Sequence, residues 1–104
     1  MSRKYKLTEE LNEGGFYRIK ALRDIPRFNV KSGDLGGWVE SEENLSQEDD
    51  CWISEEALVS GNARVYENAL VSGEAWVYAD ARVYGNARIS GEAWIYWDTR
   101  DEEE

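Results

Sequence analysis

Tryptophan and tyrosine recur at fixed intervals in the second half of the sequence, with glutamate two residues before both Trp76 and Trp94. The set repeats every 18 residues and comprises Glu56, Leu58, Glu74, Trp76, Tyr78, Glu92, Trp94 and Tyr96. Flat aromatic side chains are enriched as anchors of protein interfaces. Carboxylates beside them favour a partner with a basic surface. Protein binding is one function that these residues favour.

This spacing belongs to a repeat of six residues that runs from Asp49 to Glu102. The third place of each unit is small in all but the last: Cys51, Ala57, Ala63, Ala69, Ala75, Ala81, Ala87, Ala93 and Thr99. The fifth place is β-branched until the last unit: Ile53, Val59, Val65, Val71, Val77, Val83, Ile89, Ile95 and Asp101. A short fixed period predicts a repeat architecture.

Each unit predicts one short strand and one corner. A small and a β-branched residue two positions apart point to the same side of a strand. The corner is expected at the Asn or Asp of the second place and at the Gly before it, because these residues tolerate left-handed backbone angles. Three corners close a triangular coil of 18 residues. The fold is therefore predicted to be an all-β parallel β-helix of about three such coils, stacked about 4.8 Å apart.

The pattern resembles the hexapeptide-repeat, left-handed parallel β-helix family. The left hand is implied by that resemblance, since the general rule for parallel crossovers favours the right hand. The preceding run, RIKALRDIPRFNVKSGDLGGWVESEENLSQEDDCWI, resembles the leader of small hexapeptide-repeat proteins of bacteria, phages and prophages. That resemblance implies a phage-related context, with an anti-CRISPR or other anti-defence protein as one possibility.

Three regions are predicted along the chain. Residues 1–36 form a cap lobe built on a β-hairpin, 37–100 form the β-helix, and 101–104 form an acidic tail. Leu45 is expected to point inward as an irregular first rung. Trp97 is expected to cover the last rung as a plug.

Composition restricts the partners and the compartment. The net charge is −10, and residues 32–104 hold four arginines against eighteen acids. This excess disfavours direct binding of nucleic acid. The single cysteine, Cys51, predicts a buried small side chain and no disulfide scaffold. Because the sequence shows no signal peptide and no apolar run that could cross a membrane, a cytoplasmic protein is expected, in the bacterial host if phage-encoded.

Residues 18 apart are expected to stack in outward columns on three faces. The aromatic set lies on one face, and four interpretations of it are open: a ladder that only stabilises the stack, a homodimer interface, a surface for another protein, or sugar stacking. A second face holds Arg64, Arg82 and Arg100. There we expect Asp80–Arg82 and Asp98–Arg100 pairs, with the alternative of a phosphate or carboxylate site.

Catalysis is not expected. Hexapeptide acyltransferases resemble one another in using a histidine as general base, and carbonic anhydrases of this fold need histidine ligands, whereas this chain has none. We therefore expect no enzyme, cofactor or metal site.

The function hypothesis is an acidic, non-catalytic inhibitor that occupies the basic groove of a nucleic-acid-binding defence protein such as a CRISPR effector. A self-assembling structural module is the alternative, and a degenerate hexapeptide acyltransferase is a minor one. The sequence does not identify the partner or the oligomeric state.

Overall fold

The computed structural model describes residues 3–100, and the repeats form the predicted parallel β-helix. Its strands are β1 (Tyr5–Leu11), β2 (Tyr17–Ala21), β3 (Leu35–Val39), β4 (Trp52–Ile53), β5 (Leu58–Val59), β6 (Arg64–Val65), β7 (Leu70–Val71), β8 (Trp76–Val77), β9 (Arg82–Tyr84), β10 (Arg88–Ile89), β11 (Trp94–Ile95) and β12 (Thr99–Arg100). Two short 3-10 turns, Pro26–Phe28 and Glu42–Asn44, lie in the N-terminal half. No helix within residues 3–100 is long and apolar enough to span a bilayer.

Three sheets form the sides of the helix. One contains β1-β2-β3-β5-β8-β11, the second β4-β7-β10 and the third β6-β9-β12. Successive coils pair in parallel, so that the Trp76 amide donates to the Ala93 carbonyl at 2.9 Å and the Tyr78 amide to that of Ile95 at 3.0 Å. The N-terminal hairpin continues the first sheet, because β2 pairs antiparallel with β3.

The stack has about four turns, one more than predicted, because β3 contributes an additional rung. Val39 pairs with Val59, which lies 20 residues further along the chain instead of 18. Leu45 is buried and bridges to Val65, as expected. The two extra residues of this first coil therefore lie in the corner between Leu45 and Ile53.

The core is the ladder of small and β-branched residues that the repeat predicts. The third and fifth places of the units from Cys51 to Ile89 are 0–1% exposed. A triangular interior this narrow accepts one small and one branched side chain per side, which explains the near-invariant Ala and Val. The predicted burial of Cys51 is confirmed.

The corners agree with the prediction at the glycines of the first place and differ from it at the Asn and Asp of the second place. Positive φ falls on the first place of each unit, whatever its type: Asp49, Glu55, Gly61, Glu67, Gly73, Ala79, Gly85 and Gly91. The Asn and Asp of the second place do not adopt it. Glutamate at the first place compensates with a hydrogen bond to the coil below, since Glu55 accepts from the Gly73 amide at 2.7 Å and Glu67 from the Gly85 amide at 2.9 Å.

Lys4 holds the long corner of the first coil. Its Nζ is buried and donates to the carbonyl of Cys51 at 2.7 Å, to those of Glu48 and Asp49 at 3.2 and 3.3 Å, and to Cys51 Sγ at 3.1 Å. Burial lowers the pKa of Lys4. Nothing in the sequence pattern distinguishes this lysine, which directly precedes β1, from the exposed Lys6 on that strand.

Tyr5 fixes the hairpin to the same coil. Its hydroxyl donates to the carbonyls of Leu45 at 2.5 Å and Glu42 at 2.9 Å, and its ring contacts Trp52 edge-on at 6.5 Å. The six-residue repeat places Trp52 in an outward column, yet it is 1% exposed, and Tyr5 of the N-terminal lobe packs against it. The boundary at residue 36 stays a prediction.

The last coil is two residues shorter than the repeat requires. Thr99 pairs with Val83 and Arg100 with Tyr84, so Thr99 takes the buried fifth place that the repeat gave to Asp101. The predicted stacking of Arg100 below Arg82 is therefore wrong. Trp97 is 49% exposed and its ring contacts that of Tyr96, so the predicted plug over the last rung stays a prediction. The acidic tail predicted at 101–104 lies outside the described residues.

Replacing Ala79 with glycine should stabilise the protein. A non-glycine residue at a φ of +59° costs roughly 1 kcal/mol, and glycine removes that cost. Ala81→Gly is the matched control, because Ala81 is fully buried with an ordinary φ and its loss should destabilise by roughly 1–2 kcal/mol. Urea denaturation would measure the free energy of unfolding of both variants. Equal destabilisation by the two changes would contradict this account of the corners.

Tyr5→Phe should lower the free energy of unfolding at pH 7 by about 1–2 kcal/mol, because the buried Leu45 carbonyl and the part-buried Glu42 carbonyl lose the hydroxyl proton that they share. Burial, with the Glu42 carboxylate, raises the pKa of Tyr5 well above its ordinary value. The unfolded phenol therefore ionises first, and the wild type loses stability as the pH rises through about 10. The difference in free energy of unfolding between wild type and Tyr5→Phe should therefore become smaller from pH 8 to 11. Tyr17→Phe, a substitution at an exposed position of the same lobe, is the control and should leave the free energy of unfolding at pH 7 unchanged. A difference between wild type and Tyr5→Phe that stayed constant from pH 8 to 11 would contradict this role of Tyr5.

Candidate binding surface

The predicted aromatic residues come together on the first sheet, at the C-terminal end of the β-helix. Trp76 and Trp94 are partners in register, with ring centroids 5.8 Å apart. Tyr78 and Tyr96 lie 5.9 Å apart, and Trp97 extends the row with its ring 5.0 Å from that of Tyr96. We call these five residues the aromatic ladder. Trp97 was missed as a member because the repeat placed it at a corner.

Exposure increases along this face towards the last coil. Trp38, on the first rung, is 7% exposed, Trp76 is 37% and Trp94 is 62%. The Arg18 guanidinium lies 4.3 Å above the Trp38 ring and covers it. The Trp76 indole donates to Ser60 Oγ at 3.0 Å. The open part of the ladder is therefore its C-terminal end, where Tyr96 is also 60% exposed.

The glutamates of the predicted set have different surroundings. Glu56 accepts from the Trp38 indole at 3.0 Å and from Arg18 at 3.2 Å, so its carboxylate holds the N-terminal lobe against the helix. Glu74 and Glu92 are exposed at the corners beside the ladder. Leu58 is half-buried between the rungs of Trp38 and Trp76.

The third sheet carries a second feature. Arg64 and Arg82 are partners in register, beside Tyr66 and Tyr84, whose rings stack in parallel 5.1 Å apart. The predicted Asp80–Arg82 pair is absent from the described residues, and Asp80 accepts instead from the Asn62 amide at 3.2 Å.

Comparison with known proteins agrees with this geometry. A family model described as "YdcK Beta solenoid repeat" matches residues 57–73, 63–79 and 81–96. These matches cover the coils that carry the aromatic ladder. The repeat region is a hexapeptide-repeat β-helix.

A curated relative shares these repeats. The β-helix chain is 38% identical over 79 residues to a protein of Escherichia coli (strain K12) named "Uncharacterized acetyltransferase YdcK". The match takes in 61% of this chain and 24% of the relative, so the chain spans about a quarter of that protein's length.

The ladder should be separable from the core by mutation. Trp94→Ala should cost less than about 1 kcal/mol of stability, because the side chain is mostly exposed. Trp52→Ala, at a buried position of the same residue type, should cost about 3–5 kcal/mol. Thermal and urea unfolding would compare the two. A Trp94→Ala loss as large as that of Trp52→Ala would show that the ladder serves the fold.

Proposed function

We propose that this β-helix is a non-catalytic protein-binding module whose contact surface is the aromatic ladder. The observation that supports this most is the exposure of Trp94, Tyr96 and Trp97 together at the end of the stack. Contiguous exposed aromatic surface of this kind usually marks an interaction site. Tryptophan and tyrosine also supply the largest share of binding energy at interfaces.

A ladder that only stabilised the stack would place its aromatic rings under cover. Trp38 has that role, since Arg18 and Glu56 enclose it. Trp94 is in the equivalent column three rungs further on and has most of its surface in solvent. The contrast within one column favours a contact role for the last rung.

Charge indicates the kind of partner. Glu74 and Glu92 flank the ladder, and the chain carries a net charge of −10. Such a field accelerates association with a basic protein surface and repels nucleic acid. Binding should therefore weaken with rising salt.

The narrower hypothesis is an inhibitor that occupies the basic groove of a nucleic-acid-binding defence protein in a bacterial cytoplasm. It rests on the charge, on the exposed ladder and on the phage-type resemblance of the sequence. The CRISPR-effector partner, the phage origin and the cytoplasmic location stay predictions.

Acyl transfer is a second candidate, favoured by the name of the relative. Without histidine in the chain, a general base would have to be another residue, such as glutamate. Release of free thiol from acetyl-CoA in the presence of amine and hydroxyl acceptors would test it directly.

A structural module that assembles with its own copies is the third candidate. Within residues 3–100 no carbonyl accepts from the amides of Trp94 and Tyr96, so in the part of the chain that the structure describes the strand edge of this rung has no partner. Open edges pair readily with other strands.

Affinity capture from a bacterial lysate tests these candidates, with Trp94→Ala/Tyr96→Ala as the binding variant and Arg88→Gln as the surface control. We expect one basic protein to be captured by wild type and by the control, lost in the binding variant, and released by about 0.5 M salt, where screening is nearly complete at contact distances. Capture that is unchanged in the binding variant would overturn the choice of surface. Recovery of this chain alone, as a dimer by sedimentation, would favour self-assembly.

A further inference from the structure

A groove lies on the third sheet, on a different side of the helix from the aromatic ladder. Its volume is about 550 Å³, and it is lined by Glu42, Glu43, Leu45, Ser46, Gln47, Arg64, Val65, Tyr66 and Arg82. The 3-10 turn of the first coil forms one rim and the strands β6 and β9 form the other wall. Ser46 and Gln47, from the longer corner of the first coil, contribute to its lining.

Two arginines face each other along this wall without acidic partners. Arg64 and Arg82 are in register on neighbouring parallel strands, which lie about 4.8 Å apart. Like charges directly opposite on a sheet repel and destabilise it. Among residues 3–100, no ion pair includes either arginine.

Comparison with the other arginines among the described residues shows that the lack of a charged or aromatic partner at Arg64 and Arg82 is unusual in this protein. The remaining arginines before residue 90 each have a charged or aromatic partner: Arg3 with Glu42, Arg18 with Glu56, Arg23 and Arg27 with Asp50, and Arg88 with the Phe28 ring. In a chain with 22 acids, two adjacent arginines that meet none are a specific feature of the groove.

The rest of the groove suits a small anion with a flat part. Tyr66, stacked on Tyr84 with an interplanar angle of 4°, presents a planar wall. The buried side chains of Leu45 and Val65 form an apolar floor. Glu42 also lines the groove, but Arg3 neutralises it at 2.7 Å. Among the residues that line the groove, Glu43 is then the one carboxylate outside an ion pair. Beyond the lining, burial raises the pKa of Tyr66, and the nearby carboxylates of Glu67 and Asp98 add to that effect.

We propose that this groove binds an anionic small molecule whose carboxylate or phosphate bridges Arg64 and Arg82 and whose flat portion packs on Tyr66. Guanidinium groups recognise both anions through paired, charge-assisted hydrogen bonds. A bridging anion also converts the repulsion between the two arginines into attraction. The site is independent of the ladder and of the protein partner.

Carboxylates could also come from the chain itself. Asp101 to Glu104 follow β12, which lies in the same sheet as β6 and β9. The chemistry is the same for either source, and a variant with these four acids changed to Asn and Gln separates them.

Nuclear magnetic resonance titration with phenyl phosphate tests the site, with phenol as the uncharged control ligand. We expect saturable shifts of the Arg64 and Arg82 side-chain Nε–H signals and of the Tyr66 ring, with a Kd in the millimolar range or tighter. Arg64→Gln/Arg82→Gln should weaken binding at least tenfold. Arg88→Gln removes one charge from the same place of another unit and should leave the Kd within twofold.

Three outcomes decide the proposal. Saturable binding that tightens severalfold in the neutral-tail variant would support the site and identify the tail as a competing occupant. Saturable binding with the same Kd in wild type and in the neutral-tail variant would support the site with an external anion as its ligand. Shifts that are linear and equal in wild type and the double arginine variant would overturn it.

Discussion

Parallel pairing between coils is the constraint on which the whole molecule depends. Each coil donates amides to the carbonyls of the next, as Trp76 does to Ala93, so a coil is complete only when it has a neighbour on both sides. The two ends of such a stack therefore require separate solutions. Here the N-terminal end is closed by a hairpin that pairs with β3, while the last described coil has open amides at Trp94 and Tyr96. The exposed aromatic residues lie at this open end.

The interior and the corners follow from the same geometry. The narrow triangle admits Ala and Val on every side, and each corner needs a left-handed residue at its first place. Glycine occupies the first place in half of these eight corners, and Asp49, Glu55, Glu67 and Ala79 occupy it in the others. Glu55 and Glu67 offset their strain by accepting an amide proton from the next coil. Some of the many glutamates of this chain thus have a structural role in addition to their contribution to its net charge.

The fold could be predicted from the sequence because the period of six specifies it locally. Ala63 and Val65 define an inward pair without reference to any distant residue, and the same holds for every regular unit. Predictions were wrong where distant segments or changes of coil length decide the outcome. Trp52 has the pattern of an outward residue and is buried by the lobe around Tyr5, while Thr99 takes a core place only because the last coil is shorter.

In the candidate surface, too, the features set by the repeat were predictable and those set by distant segments were not. The stacking of Trp76 on Trp94 followed from the 18-residue interval. The difference in exposure between Trp38 and Trp94 did not, because it depends on Arg18 of the hairpin. The absence of an acidic partner for Arg64 and Arg82 among the described residues could not be predicted either. Asp80 is close to Arg82 in sequence and suggests an ion pair, but its carboxylate accepts from the Asn62 amide instead.

Amide hydrogen exchange measured residue by residue tests the central claim, that the last rung is an open contact surface. In the isolated protein at low concentration, the amides of Trp94 and Tyr96 should exchange at least about 100-fold faster than those of Trp76 and Tyr78, which are hydrogen-bonded to the next coil. Addition of the captured partner should slow the two fast amides and leave the others unchanged. Equal protection of all four in the isolated protein, or protection by the partner on another face alone, would contradict the account.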